Sequence, residues 1–122
     1  MHKNQTLGKY GEDRAAAFLE AQGHKVEVRN WRCAEGEIDL ITSKADRFIF
    51  TEVKTRGGKG FGHPFEAITA DKVRRMRRLV ALWCEQQELQ GHSIRGKKVR
   101  LDAISVLVSN GKVAIEHLKQ VY

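Results

Sequence analysis

Apolar residues recur at helical spacing over residues 6–22, where Leu7, Gly11, Ala15, Phe18 and Leu19 fall on one face. Thr6 is placed to cap this helix and Gly23 to close it. A weaker alternation over 26–31 predicts a strand, which Ala34, Glu35 and Gly36 interrupt. Two short apolar runs, 40–41 and 48–50, predict the arms of a hairpin. Four glycines between 57 and 62 mark 56–63 as a loop, and Pro64 closes it. A second helix is predicted over 70–88, with Thr69 as its cap and Val73, Met76, Leu79 or Val80, and Trp83 as its buried stripe. After a linker at 91–96, residues 99–108 alternate as a strand, and Asn110-Gly111 signals a two-residue turn into a last strand over 113–118. The order is helix, three strands, helix, two strands. That order predicts an α/β domain with a mixed sheet of about five strands and helices packed against it.

A chain of 122 residues supports one domain, spanning 1–122. The longest unbroken apolar stretch covers only 79–84, so no membrane contact is expected. The N-terminus lacks the apolar segment of a secretory signal, and Cys33 and Cys84 lie far apart, which favours a reduced, cytoplasmic setting. The charge balance changes the picture more. A net charge of +7 suits a polyanionic partner, of which nucleic acid is the commonest, against the plainer reading of solubilising charge. Lys72, Arg74, Arg75, Arg77 and Arg78 crowd two turns of the second helix, and Arg56 and Lys59 flank the glycine loop. Helical spacing sends Arg75 to the side of Lys72. If about five of these cations meet phosphates, DNA affinity should fall with log salt at a slope near −4.5. Trp31 and Arg32 offer a stacking surface for a base, although Trp31 also fits a core position.

The hairpin carries the candidate chemistry. A two-residue turn at Ala45-Asp46 and a four-residue turn over 44–47 both give partner numbers summing to 91. Ser43 then faces Phe48, Ile41 faces Phe50, Asp39 faces Glu52 and Glu37 faces Lys54, all on one face of the sheet. A three-residue turn would send Asp39 and Glu52 to opposite faces. Two carboxylates held about 5 Å apart repel by roughly 3 kcal/mol at an effective dielectric near 20. Against a total stability of about 5–15 kcal/mol, that repulsion calls for a neutralising partner. A hard divalent cation such as Mg²⁺ answers it, and Lys54 beside the cation would position water or stabilise charge on a phosphate. The alternative is an exposed hairpin end with both carboxylates in water and Lys54 in a weak surface pair. Glu12 stacks near the line of Leu19 at the edge of the first helix's apolar face, where it would lean over this cluster or pair with a nearby arginine. Gly8 and Gly11 beside it allow close approach. Asp102 on the fourth strand is expected to pair with an arginine, and His63 and His117 have no ligand-like spacing.

Asp39 followed by Glu52-Val53-Lys54 resembles the D…E-x-K arrangement of the PD-(D/E)XK nuclease superfamily. More closely, "GEDRAAAFLEAQG", "RNWR", "GEIDLI", "TEVKTR", "FGHPFEAIT…K" and "RLDAISV" resemble, in order along nearly the whole chain, the YraN-like family of small bacterial proteins. The resemblance implies a three-layer domain of the restriction-endonuclease and Holliday-junction-resolvase type. It implies metal ligation by Asp39 and Glu52, helped by the Val53 carbonyl, with Mg²⁺ or Mn²⁺ as cofactor. Lys54 would be the catalytic lysine, Glu12 the accessory carboxylate, and Lys72 a further polar residue of the site. Ile38 stands where many superfamily members carry proline. Together with the basic residues Arg56, Lys59, Lys72 and Arg75, this predicts a nuclease hydrolysing DNA phosphodiesters. Two rivals are a DNA-binding module without turnover and an adaptor whose basic helix docks an acidic protein. A homodimer is left open.

Overall fold

The computed structural model describes residues 3–58 and 68–121, with side chains from residue 7 onward. Its elements are α1 (Lys3–Ala21), β1 (Lys25–Cys33), β2 (Gly36–Lys44), β3 (Arg47–Gly57), α2 (Ala70–Leu89), β4 (Lys98–Ser109) and β5 (Lys112–Lys119). The five strands form one sheet in chain order. β3 and β4 run parallel, with α2 in the connection between them, and every other neighbouring pair is antiparallel. Ile41, Phe50, Leu101 and Ala103 pack with Leu79, Val80 and Trp83 of α2. Leu40, Ile104 and Val106 pack instead with Ala15, Ala16 and Leu19 of α1. The sheet is therefore sandwiched: the mixed sheet with helices against it that the element order suggested, in the three layers that the family resemblance implied.

Local chemistry sets the boundaries. The amide of His24 bonds Leu19 and that of Gly23 bonds Glu20, so α1 ends in the paired hydrogen bonds of a Schellman turn. Its start departs from expectation: the helix begins at Lys3, which puts Thr6 inside it rather than at its cap. Thr69 does cap α2, accepting from the Lys72 amide. Asn110 and Gly111 both take positive φ, 52° and 75°, as a type I′ hairpin turn demands. Arg56 and Gly57 belong to β3 and not to a loop, because parallel pairing with β4 continues to Gly57 and Val108. Lys59 lies outside the described residues.

One contact fixes how α1 meets the sheet. A Cβ on Gly11 would fall 1.8 Å from Thr55 Oγ1 and 2.7 Å from Thr55 Cβ. Gly8, by contrast, faces open space, so of the two glycines only Gly11 serves the close approach. A rotation of Thr55 cannot clear its own Cβ, so Gly11→Ala must push helix and strand apart. The expected cost is about 1–3 kcal/mol, read as a melting temperature several degrees lower. Thr55→Ala, which trims the crowding atoms, should recover part of that loss in the double variant. Equal melting temperatures for Gly11→Ala and wild type would show that the helix does not rest on this contact.

Candidate active site

The two-residue turn Ala45-Asp46 sets the predicted register: Lys44 pairs with Arg47, Ser43 with Phe48, Ile41 with Phe50 and Leu40 with Thr51. There the ladder between β2 and β3 ends. Asp39, the next residue outward, does not continue the pairing through its backbone. Its Oδ2 accepts a hydrogen bond of 2.8 Å from the Val53 amide, closing the edge that β3 would otherwise leave open. Strict alternation also breaks in β2, since Ile38 and Ile41 both join the core beneath α2. Glu37 is accordingly not matched to Lys54. It forms an ion pair of 3.1 Å with Arg32 of β1.

Where the strands part, a cleft of about 210 Å³ opens under the first turns of α2, and Asp39, Glu52, Lys72 and Arg75 all line it. Lys72 and Arg75 share a face of α2 because three residues span most of one turn. Among the described residues, neither cation is ion-paired with Asp39 or Glu52. Their neighbours differ. Arg74 pairs with Asp71, and Arg78 holds Glu35 at 3.2 Å, so at least two of the five helix cations are already engaged by carboxylates. Lys54 lies two residues beyond Glu52 on β3, half-buried and outside the cleft lining. Arg56, further along the same strand, has a buried Nε without a hydrogen-bond partner among the described residues.

Asp39 is the electrostatic centre. Burial pushes its carboxyl up to about 6; the Val53 amide opposes this, and the charges of Glu12, Glu52 and Glu37 add to it. Glu12 thus acts on Asp39 through space, although it does not line the cleft. Among the described residues, no three His, Cys, Asp or Glu side chains stand ready as a metal-binding group. The donor set present is an all-oxygen pair, Asp39 and Glu52, with a third carboxylate in electrostatic range. Hard divalent cations prefer oxygen donors, and a cation would offset the desolvation, and the smaller repulsion, that raise Asp39.

The raised value makes a stability prediction. A carboxyl that binds its proton more tightly folded than unfolded contributes stability below the unfolded value, 3.8, which is lost as pH rises through about 6. At pH 8 without divalent metal, Asp39→Asn should therefore be more stable than wild type, by up to about 3 kcal/mol. Asn retains an oxygen for the Val53 amide. The advantage should shrink to nothing towards pH 4, and denaturant titration across that range measures it. A difference that stays constant with pH would contradict the assignment.

Sequence reasoning underrated a second polar group, on the α1 side of the sheet. Asp102, fully buried, accepts from Arg100 at 2.8 and 2.9 Å, lies 2.7 Å from His117 Nε2, and takes the Gln120 amide at 3.2 Å. Burial would raise this carboxyl, but the bonds from His117, Arg100 and Gln120 outweigh it and hold it below its ordinary value. The arginine partner was expected; His117 was not. His24, also buried, bonds Thr42 at 2.8 Å, and desolvation with nearby positive charge lowers its imidazole to about 4. The signal available was a lone Asp between apolar neighbours in "RLDAISV". Trp31 sits against the core beneath α2, donating to Gln86 Oε1 at 3.0 Å.

A model of the Uncharacterised protein family UPF0102 matches residues 11–106 of the chain. Curated relatives are similar over nearly their whole length. A UPF0102 protein of Beutenbergia cavernae is 43% identical over 122 residues, covering 99% of each chain. One from Clavibacter michiganensis subsp. michiganensis is 46% identical over 111 residues, 91% of this chain and 90% of the relative. One from Rhodococcus opacus is 40% identical across the full length of both. Among the described residues, no helix is long and apolar enough to cross a membrane.

Proposed function

We propose that this chain, which belongs to the uncharacterised protein family UPF0102, is a divalent-metal-dependent nuclease that hydrolyses DNA phosphodiester bonds. The observation that carries the reading is Asp39: a desolvated carboxylate tied to the Val53 amide, beside Glu52, in a cleft whose other wall holds Lys72 and Arg75. Carboxylates that repel one another next to cations that they do not neutralise suit a site awaiting a metal ion and a phosphate. Asp39 and Glu52 would hold Mg²⁺ or Mn²⁺, which when bound supplies Lewis-acid stabilisation and a more acidic water. Lys72 and Arg75 orient the phosphate by charge. Lys54 stabilises negative charge that grows on the reacting phosphate, and Glu12 keeps the local field negative enough to recruit the cation. A second reading, a DNA-binding module without turnover, draws on the lack of a ready three-group metal site among the described residues.

Incubation of the protein with linear, branched and single-stranded DNA, with and without Mg²⁺ or Mn²⁺, decides between them. Cutting that depends on the metal supports the nuclease. Binding of every DNA with cutting of none supports the module. The engagement of Arg74 and Arg78 by Asp71 and Glu35 also revises the expected salt dependence. With Lys54, Lys72 and Arg75 as the phosphate contacts, log affinity should fall with log salt at about −2.7 for duplex DNA, shallower than five contacts would give. Strong binding to an acidic protein and none to DNA at low salt would favour an adaptor instead.

A further inference from the structure

Lys72, Arg75, Met76 and Leu79 follow the i, i+3, i+4, i+7 spacing of a single helix face, and all four line the cleft. That stripe changes character along α2: two cations in its first turns, then two apolar side chains. Ile38, from the parted end of β2, adds a third apolar side chain to the same cleft. A phosphate needs only the charged part. Ile38 and Leu79 belong to the core beneath α2 and Met76 packs against it, so the apolar half is an open edge of that core. Phosphodiester hydrolysis alone does not require such an edge beside the charged part.

We infer that the apolar half of this cleft, lined by Ile38, Met76 and Leu79, receives an unstacked nucleobase of the DNA strand whose phosphate meets Lys72 and Arg75, so that the preferred substrate carries an unpaired nucleotide at the cut. The inference rests on the nuclease reading above and names its substrate class. The whole cleft, its charged half included, measures about 210 Å³, against roughly 150 Å³ for a dry cavity that takes up benzene, which leaves room for one planar ring at its apolar end. The chemistry fits as well. Met76 is half-buried, and a thioether makes favourable contacts with aromatic rings, whichever base they belong to. Leu79 and Ile38, 6% and 3% exposed, are held by the core and present a fixed apolar surface. A base inside a duplex offers only its edges to a protein, whereas an unpaired one leaves the stack at little cost and presents its face. Glu35, which lines the cleft, is ion-paired with Arg78 and so does not compete for Lys72 and Arg75.

The test compares three DNAs of one sequence: a fully paired duplex, a duplex with one unpaired nucleotide, and the same duplex with that nucleotide abasic. Affinity is measured by fluorescence anisotropy without divalent metal, and cut positions are mapped in Mg²⁺. The base-bearing DNA should bind at least about five-fold more tightly than the abasic one, the lower end of what one stacked base contributes. Cutting should fall next to the unpaired nucleotide. Met76→Gln, which makes that wall polar without adding charge, should bring the base-over-abasic ratio towards one. Equal affinity for base-bearing and abasic DNA, with cutting retained, overturns this inference and leaves the nuclease reading standing. A ratio unchanged in Met76→Gln places the base elsewhere and also overturns it. A protein that neither binds nor cuts any of the three overturns both.

Discussion

Glu52→Gln is expected to abolish metal-dependent cleavage while DNA binding persists or tightens. The substitution keeps the size of the side chain and removes one of four carboxylates that line the cleft with Lys72 and Arg75, of which Glu35 and Glu37 are ion-paired with Arg78 and Arg32. Under the proposed function, loss of that charge would weaken metal recruitment and at the same time lower the repulsion felt by an incoming phosphate. Lys54→Ala should separate differently. An ammonium poised for charge that develops only during cleavage contributes to the rate far more than to ground-state affinity. Deleting one such preorganised group costs about 100- to 1,000-fold, or roughly 3–4 kcal/mol. Binding should weaken far less, since Lys72 and Arg75 remain. Paired cleavage and anisotropy assays on one DNA in Mg²⁺ measure both quantities. A Lys54→Ala protein that loses affinity in proportion to its rate would make Lys54 a phosphate contact and nothing more.

Much of this arrangement was legible in the chain, and the part that was not has a physical reason. Turn chemistry and the two-residue period narrowed the hairpin to two registers, because a hydrogen-bonded ladder tolerates no half steps, and the two-residue turn selects the one that runs through Leu40 and Thr51. The same period cannot announce where a ladder stops. Past Leu40, the Asp39 side chain takes the Val53 amide that a β2 carbonyl would have taken, so Asp39 enters the site as a hydrogen-bonded acid and not as one half of a facing pair. Glu37 then follows β1, where Arg32 is nearer than Lys54. The convergence of Lys72 and Arg75 on the cleft was readable from helical spacing. The i,i+3 pairing of Arg74 with Asp71 was open to the same spacing argument, whereas the diversion of Arg78 was not, because Glu35 lies 43 residues away in the turn between β1 and β2. Gly11 carried a real signal and Gly8 a false one, and only the Thr55 contact tells them apart.

The network around Asp102 was the least legible feature, and it yields the largest expected loss of stability. Arg100 and Asp102 lie on one strand, His117 comes from the next, and the Gln120 amide comes from the segment beyond β5. The carboxylate thus ties β4, β5 and the end of the chain together, while His117 meets the edge of Phe18 in α1 with ring centroids 5.9 Å apart. Asp102→Ala would leave Arg100, its side chain 13% exposed, and His117, 7% exposed, without their shared acceptor. Breaking a buried pair from one side costs about 3–5 kcal/mol, a large share of a typical total. Asp102→Asn, which keeps the shape and one acceptor oxygen, should lose less. The sign with pH follows from the lowered carboxyl. Its contribution is present above the ordinary Asp value of 3.8 and disappears as pH falls through the lower folded value. The gap between wild type and Asp102→Asn should therefore narrow only in strong acid, the reverse of the Asp39 behaviour. Asp102 lies opposite Thr51 in the β3–β4 ladder, one residue from Glu52 along β3 but on the α1 side of the sheet. Folded Asp102→Asn protein should consequently keep its cleavage per molecule at temperatures well below its melting point. Denaturant melts at several pH values, paired with activity normalised to the folded fraction, measure both. A variant as stable as wild type, or one fully folded and inactive, would remove Asp102 from the structural role assigned to it.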